Sequence, residues 1–146
     1  MTTNTNKIFH YPVTIKEAHL DTFAHVNNAV YLALLEEARW DLLNQGHFGI
    51  KKIQASGLGP TILEIKISFK RELHLHDKII IETQMLSYKK KIGVLQHRII
   101  RDDKVCCIAE YIMGLFCLNE RKLITPTSEW LNAIGYVGEQ QDSTEV

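Results

Sequence analysis

The sequence predicts an α+β fold: a curled antiparallel sheet of about five strands wrapped around one long buried helix. Two observations carry that expectation. Ala29, Val30, Tyr31, Leu32, Ala33, Leu34 and Leu35 run without a polar break at the start of a helical stretch, and a helix apolar on every side is buried on every side. From Thr61 to Leu118 four extended stretches then follow one another through short polar turns, the pattern of a meander rather than of βαβ units. One helix cannot cover both faces of such a sheet, so an uncovered edge or face is expected to meet a partner subunit.

In chain order, the polar stretch 1–6 is expected to fray. Lys7 to Ala18 reads as a first strand ending near His19–Asp21. The helix follows to about Asn44, with Asn27 or Asn28 as N-cap and with Gly46 and Gly49 as stop signals. Lys51 to Pro60 reads as a loop punctuated by Gly57-Leu58-Gly59-Pro60, whose spacing matches neither a P-loop nor a dinucleotide fingerprint. Thr61 to Lys70 alternates, with Leu63, Ile65, Ile67 and Phe69 on one side and Glu64, Lys66, Ser68 and Lys70 on the other. Asp77 to Tyr88 and Ile92 to Arg101 are the next strands, and Asp102-Asp103 turns the chain into Lys104 to Leu118. That last strand is apolar on both faces, which predicts a central position with the helix on one side and another layer on the other. Ser128 to Ile134 reads as a short helix capped by Ser128, and 138–146 as an acidic tail. The chain is thus a single domain, 1–146, with its core over 7–135 and disordered ends.

Composition narrows the function. Lysine plus arginine equals aspartate plus glutamate at 17 each, which argues against general nucleic-acid binding. An apolar content of 45% with 23% charged residues is that of a globular domain, and no apolar run approaches the roughly 20 residues of a membrane span. Three cysteines, two of them the adjacent Cys106 and Cys107, form neither a disulfide framework nor a CxxC site. A cytoplasmic protein is expected.

The chemistry-bearing residues gather before the helix. Asp21, Thr22, His25, Asn27 and Asn28 stand where a buried helix presents open N–H groups and positive dipole, a place suited to an anion or a developing oxyanion. On spacing alone Asp21 reads better as a turn cap and the asparagines as helix caps, while His25 reads equally well as a turn histidine bonded to backbone. Glu36 and Glu37 fit salt bridges to Arg39 or to a neighbouring strand better than catalysis. Lys89-Lys90-Lys91 is a solvated hairpin tip or a phosphate contact. His74 and His76 would share one strand face beside Asp77, but the sequence supplies no third ligand, and no metal is expected. Cys106 and Cys107 on an apolar strand read as small hydrophobes.

Together, His19-Leu20-Asp21, His25-Val26-Asn27-Asn28-Ala29, Tyr31-Leu32 and Glu36-Glu37-Ala38-Arg39-Trp40 resemble the signature of hot-dog-fold thioesterases. The resemblance is to the 4-hydroxybenzoyl-CoA thioesterase family, and within it to the bacterial long-chain acyl-CoA thioesterases; it covers about 7–135. It implies a hot-dog dimer whose two sheets join into one, often paired into a homotetramer. It also implies cofactor-free hydrolysis of a medium- to long-chain fatty acyl-CoA at subunit interfaces. Under it Asp21 is the catalytic carboxylate, as nucleophile or as general base, and His25 polarises the carbonyl or holds Asp21. The substrate is bound by the helix start, Asn27, Asn28, Ala29, Val30 and Tyr31, with amides near Ala29–Tyr31 facing the oxyanion. Lys89, Lys90 and Lys91 stand where relatives contact coenzyme A phosphates, and many relatives have glycine where this chain has Ala24. An acyl carrier protein thioesterase and a non-catalytic acyl-CoA-binding protein are the alternatives; a hydratase fits the motif less well.

Overall fold

The computed structural model describes residues 3–140. Its elements in order are β1 (Thr3–Asn4), β2 (Ile8–Thr14), a 3-10 turn (Glu17–His19), α1 (Asn28–Gln45), α2 (Ile50–Ser56), β3 (Leu58–Phe69), β4 (Lys78–Lys89), β5 (Ile92–Arg101), β6 (Lys104–Cys117), β7 (Lys122–Ile124), α3 (Ser128–Ala133) and β8 (Glu139–Gln140). Six strands form one antiparallel sheet in the order β2-β4-β5-β6-β3, with β7 paired to β6, and α1 packs on it. This is the sheet around a helix that the helix-then-meander pattern predicts, and the hot-dog arrangement that the family resemblance implies.

The stripe Tyr31, Leu34, Leu35, Ala38 and Leu42 recurs at three- and four-residue steps and is buried. It meets Ile81, Leu95, Ile99, Cys107, Ala109 and Tyr111 in one core. The expectation that α1 is buried all round fails in the single chain: Ala29, Leu32 and Ala33 are exposed. Their side of the helix faces away from the sheet, and no described residue covers them. At the edge strand β3 a bulge between Ile62 and Glu64 shifts the register, and Leu63, Ile65 and Phe69 stay open. β6 does lie inside the sheet, between β5 and β3. Its second face, Ile108, Ile112 and Phe116, is half-buried rather than covered by the layer expected there.

Other departures are local. The first strand stops at Thr14, and a 3-10 turn takes the place of its expected end, closed by Lys16 N–H donating to His19 Nδ1 at 2.9 Å. The loop expected over Lys51 to Pro60 is largely the helix α2, which ends where Gly57 takes a left-handed φ of 71° and returns its N–H to Ile53 O. The cap of α3 is Thr127, accepting from Trp130 N–H at 3.1 Å, rather than Ser128. Asn6 does not fray: it is buried, its Nδ2 donates to Met85 O at 2.8 Å and its Oδ1 accepts from Val137 N–H at 2.8 Å. Residues 1–2 and 141–146, parts of the two expected tails, lie outside the described residues.

Candidate active site

Asp21 begins a tight polar turn that delivers the chain into α1. Its Oδ1 accepts from Phe23 N–H at 2.9 Å and from His25 N–H at 3.3 Å, and its own N–H donates to His25 O at 2.9 Å. These bonds are those of an Asx turn, so Asp21 does cap its turn, and they engage only one carboxylate oxygen. Oδ2 has no hydrogen-bond partner among the described residues. Ala24, at φ 63°, occupies the left-handed region that favours glycine. Ala24 therefore carries its Cβ at a backbone cost of about 1–2 kcal/mol that glycine would not incur.

Asn27 is the N-cap of α1. Its Oδ1 accepts from Ala29 N–H at 2.8 Å, and its backbone oxygen accepts from Val30 N–H at 2.9 Å and Tyr31 N–H at 3.3 Å. The amides expected to face an oxyanion, those of Ala29, Val30 and Tyr31, are thus all occupied, because the cap and the first helical bonds use them. The first-turn amide with no acceptor among the described residues is that of Asn28.

Asn28, His25 and Tyr31 line one side of a pocket of about 260 Å³, and Phe69, Lys70, Arg71, Glu72 and Leu73 line the other. Asp21 stands one turn behind this wall, joined to it through His25. Glu72 Oε2 lies 3.6 Å from His25 Nε2 and 3.4 Å from His74 Nε2, so a carboxylate braces the histidine of the turn. Tyr31 forms the floor, its ring edge-on to Phe69 at 4.9 Å; burial first, then the neighbouring Cys107 and Cys106, pushes its hydroxyl up to about 12. It is a wall and not a proton carrier.

The sequence matches the family described as "Thioesterase-like superfamily" over residues 13–134, a span that holds α1 and the whole pocket. The chain belongs to that superfamily. Among its relatives, the long-chain acyl-CoA thioesterase FadM of Escherichia coli K12 is 30% identical over 107 residues, 73% of this chain and 80% of that one. The acyl-CoA thioester hydrolase YbgC of Shigella flexneri is 25% identical over 93 residues, 64% of this chain and 69% of its own. The crystal structure of YbaW, a probable thioesterase from Escherichia coli, superimposes with a TM-score of 0.77 at 28% identity, covering 86% of this chain and 98% of that one. The family resemblance in the turn and helix is borne out, and the chain is a hydrolase of the thioesterase type.

Within this thioesterase-superfamily fold the three lysines do not join the pocket. Lys89, Lys90 and Lys91 form the β4–β5 tip beside Gly93, which pairs with Met113, whereas the pocket lies where Phe69 pairs with Cys107. Cys107 to Met113 along β6 is about 20 Å of strand. The basic residues at the pocket are Lys70 and Arg71, which the sequence reading did not single out. Their signal was positional: they are the first residues past the end of an alternating strand.

The histidine pair also changes place. His74 and His76 occupy the turn before β4, with His76 at φ 67°, so they do not share a strand face. Neither glutamate pairs with Arg39 among the described residues. Desolvation first, and then the nearby charge of Glu37, raises the pKa of the Tyr11 hydroxyl, while Glu36 and Arg39 line a second cavity. Cys106 and Cys107 are buried, and burial drives the Cys107 thiol up to about 11, away from nucleophilic use. No described helix is long and apolar enough to cross a membrane.

Proposed function

We propose that this protein hydrolyses medium- to long-chain fatty acyl-CoA to the free acid and coenzyme A. The observation that carries the proposal is the coupling of Asp21, through His25, to a pocket lined by Asn28, the first residue of α1, whose backbone amide has no acceptor among the described residues. The thioester carbonyl sits at that amide, where the donor and the helix dipole favour negative charge on its oxygen. In one course the free oxygen of Asp21 attacks the carbonyl carbon, the C–S bond breaks, and coenzyme A leaves as thiolate to take a proton from water. Hydroxide or water then opens the acyl–aspartyl anhydride and restores the carboxylate. In the other, Asp21 removes a proton from the attacking water and the departing sulfur receives it. Either way one water and one thioester become one acid and one thiol.

Lys70 and Arg71 supply the positive charge for the coenzyme A phosphates within one protomer, and Lys89–Lys91 serve a site of another protomer. The exposed Leu32, Leu63, Ile65 and Phe69 support a homodimer, alone or within a tetramer, in which a second copy roofs the α1–β3 side. Three unpaired cysteines fit a cytoplasmic location. The deciding test is free-thiol release from a panel of acyl-CoA and acyl carrier protein substrates. Turnover of acyl-CoA is expected; turnover of the carrier-protein thioesters alone, or binding without thiol release, rejects the assignment.

A further inference from the structure

A second cavity, of about 200 Å³, lies between the later turns of α1, the start of β3 and α3. Its walls include Trp40, Ile62, Leu95, Met113 and Trp130, and its only charged lining groups are Glu36 and Arg39. A cavity of about 150 Å³ lined by apolar side chains already takes in a benzene-sized guest, so this one is roomy enough for several methylenes. The two openings are joined by geometry. Asn28 lines the first pocket, while Glu36 and Trp40 line the second. Asn28, Leu32, Glu36 and Trp40 are spaced four apart and therefore form one ridge inclined to the helix axis, turning about 40° per step. β3 runs alongside in the opposite sense, with Phe69 against Tyr31 at the helix start and Ile62 in the second cavity. Between those ends Leu32, Leu63 and Ile65 leave the seam apolar and open.

We infer that this seam and cavity take the distal half of the acyl chain, and that Trp40, Ile62, Met113 and Trp130 set how long a chain the enzyme prefers. The inference rests on the thioesterase reading above, with the carbonyl at Asn28. From Asn28 to Glu36 the helix rises about 12 Å, and an extended chain gains about 1.2 Å per bond, so about ten bonds separate the carbonyl from the cavity. Short acyl chains end in the seam; long ones enter the cavity and lose their contact with water there.

The chain contains two tryptophans, and both line this cavity, so its intrinsic fluorescence reports occupancy without any turnover. With the full-length wild-type protein, dodecanoic acid brominated at its methyl end is expected to quench tryptophan emission, whereas the isomer brominated beside the carboxyl group leaves it unchanged. Equal quenching by both isomers, or by neither, overturns the inference. In parallel, Ile62→Phe narrows the cavity from the edge strand. The ratio of kcat/KM for palmitoyl-CoA to that for hexanoyl-CoA is expected to fall about tenfold, the scale of excluding a methylene-sized group from an apolar pocket. An unchanged ratio in a folded variant also overturns it. Should wild type hydrolyse no acyl-CoA, the proposed function fails, while the quenching comparison still decides whether the cavity binds a fatty chain.

Discussion

The guanidinium of Arg39 lies over the ring of Tyr111, 4.4 Å from its centroid, and one of its nitrogens meets His97 Nε2 at 3.2 Å. Arginine only donates, so Nε2 is the bare nitrogen and Nδ1 carries the hydrogen, which it donates to Thr83 Oγ1 at 2.8 Å. A polar chain thus crosses the core from α1 to β5 and β4, with the Tyr111 ring edge-on to His97 at 5.2 Å and the Tyr111 hydroxyl buried without a hydrogen-bond partner among the described residues. Burial, and then the charge of Arg39, pulls His97 from 6.5 down to about 3.

That depression has a sign. Between about pH 6.5 and pH 3 the unfolded chain binds a proton that folded His97 refuses, so its contribution to stability is complete above the window and is lost as the pH falls through it, at up to about 1.4 kcal/mol per pH unit. Urea unfolding of wild type is expected to show this slope on acidification. His97→Gln, which keeps a donor and an acceptor but cannot titrate, should be less stable at neutral pH by about 1–3 kcal/mol and should lose that part of the slope. A variant curve parallel to wild type would contradict the assignment of a neutral buried His97.

What could be read from the sequence was whatever is decided locally. The Asp102-Asp103 turn between β5 and β6 follows from neighbours in the chain and is where it was expected, whereas the alternation from Thr61 to Lys70 is broken by the bulge between Ile62 and Glu64, and Leu63, Ile65 and Phe69 stay exposed. α2 was missed because seven residues with one buried side chain, Ile53, carry no helical period, while Gly57-Leu58-Gly59-Pro60 reads as a loop. At the site, Asp21, His25 and the Asn27 cap were legible because a turn feeding a helix is contiguous. Lys70, Arg71 and Glu72 were not, since they reach the pocket only once β3 has folded against α1. The run of three lysines is conspicuous in sequence, yet it stands at the far end of the sheet, so the single chain does not bring it to this pocket.

Asp21→Asn separates the turn from the chemistry. The amide oxygen of asparagine still accepts from Phe23 and His25, so the turn and substrate binding should persist, with stability changed by less than about 1 kcal/mol. Hydrolysis should fall by about 10²–10⁴-fold in kcat, the range expected on losing a positioned carboxylate. Unchanged thiol release in a folded variant would remove Asp21 from the mechanism.

Lys70 and Arg71 should act on binding rather than on bond breaking. Removing both, as Lys70→Ala with Arg71→Ala, is expected to raise KM for acyl-CoA about tenfold, corresponding to about 1.4 kcal/mol, with kcat little changed. Because both side chains are exposed, added salt should shrink the difference between variant and wild type. Lys89→Ala in the same assay tests whether the far hairpin serves a neighbouring protomer: a rise in KM supports a shared site, and no change confines coenzyme A to one chain.

The oxyanion assignment can be tested by removing a single hydrogen. Asn28 is the first residue of α1, the position at which proline is best tolerated, and the preceding Asn27 already has the extended ψ of 145° that a following proline requires. Asn28→Pro therefore deletes the one unpaired first-turn amide while leaving the Asn27 cap and the bonds to Ala29, Val30 and Tyr31 in place. The helix should keep its stability to within about 1 kcal/mol, whereas kcat should drop by about 10²–10³-fold, the loss seen when one oxyanion donor is removed. Asn28→Ala is the companion variant: it retains the N–H and should retain most of the rate. If the alanine variant lost as much activity as the proline one, the side chain rather than the amide would be the group that matters, and the carbonyl would have to lie elsewhere in the pocket.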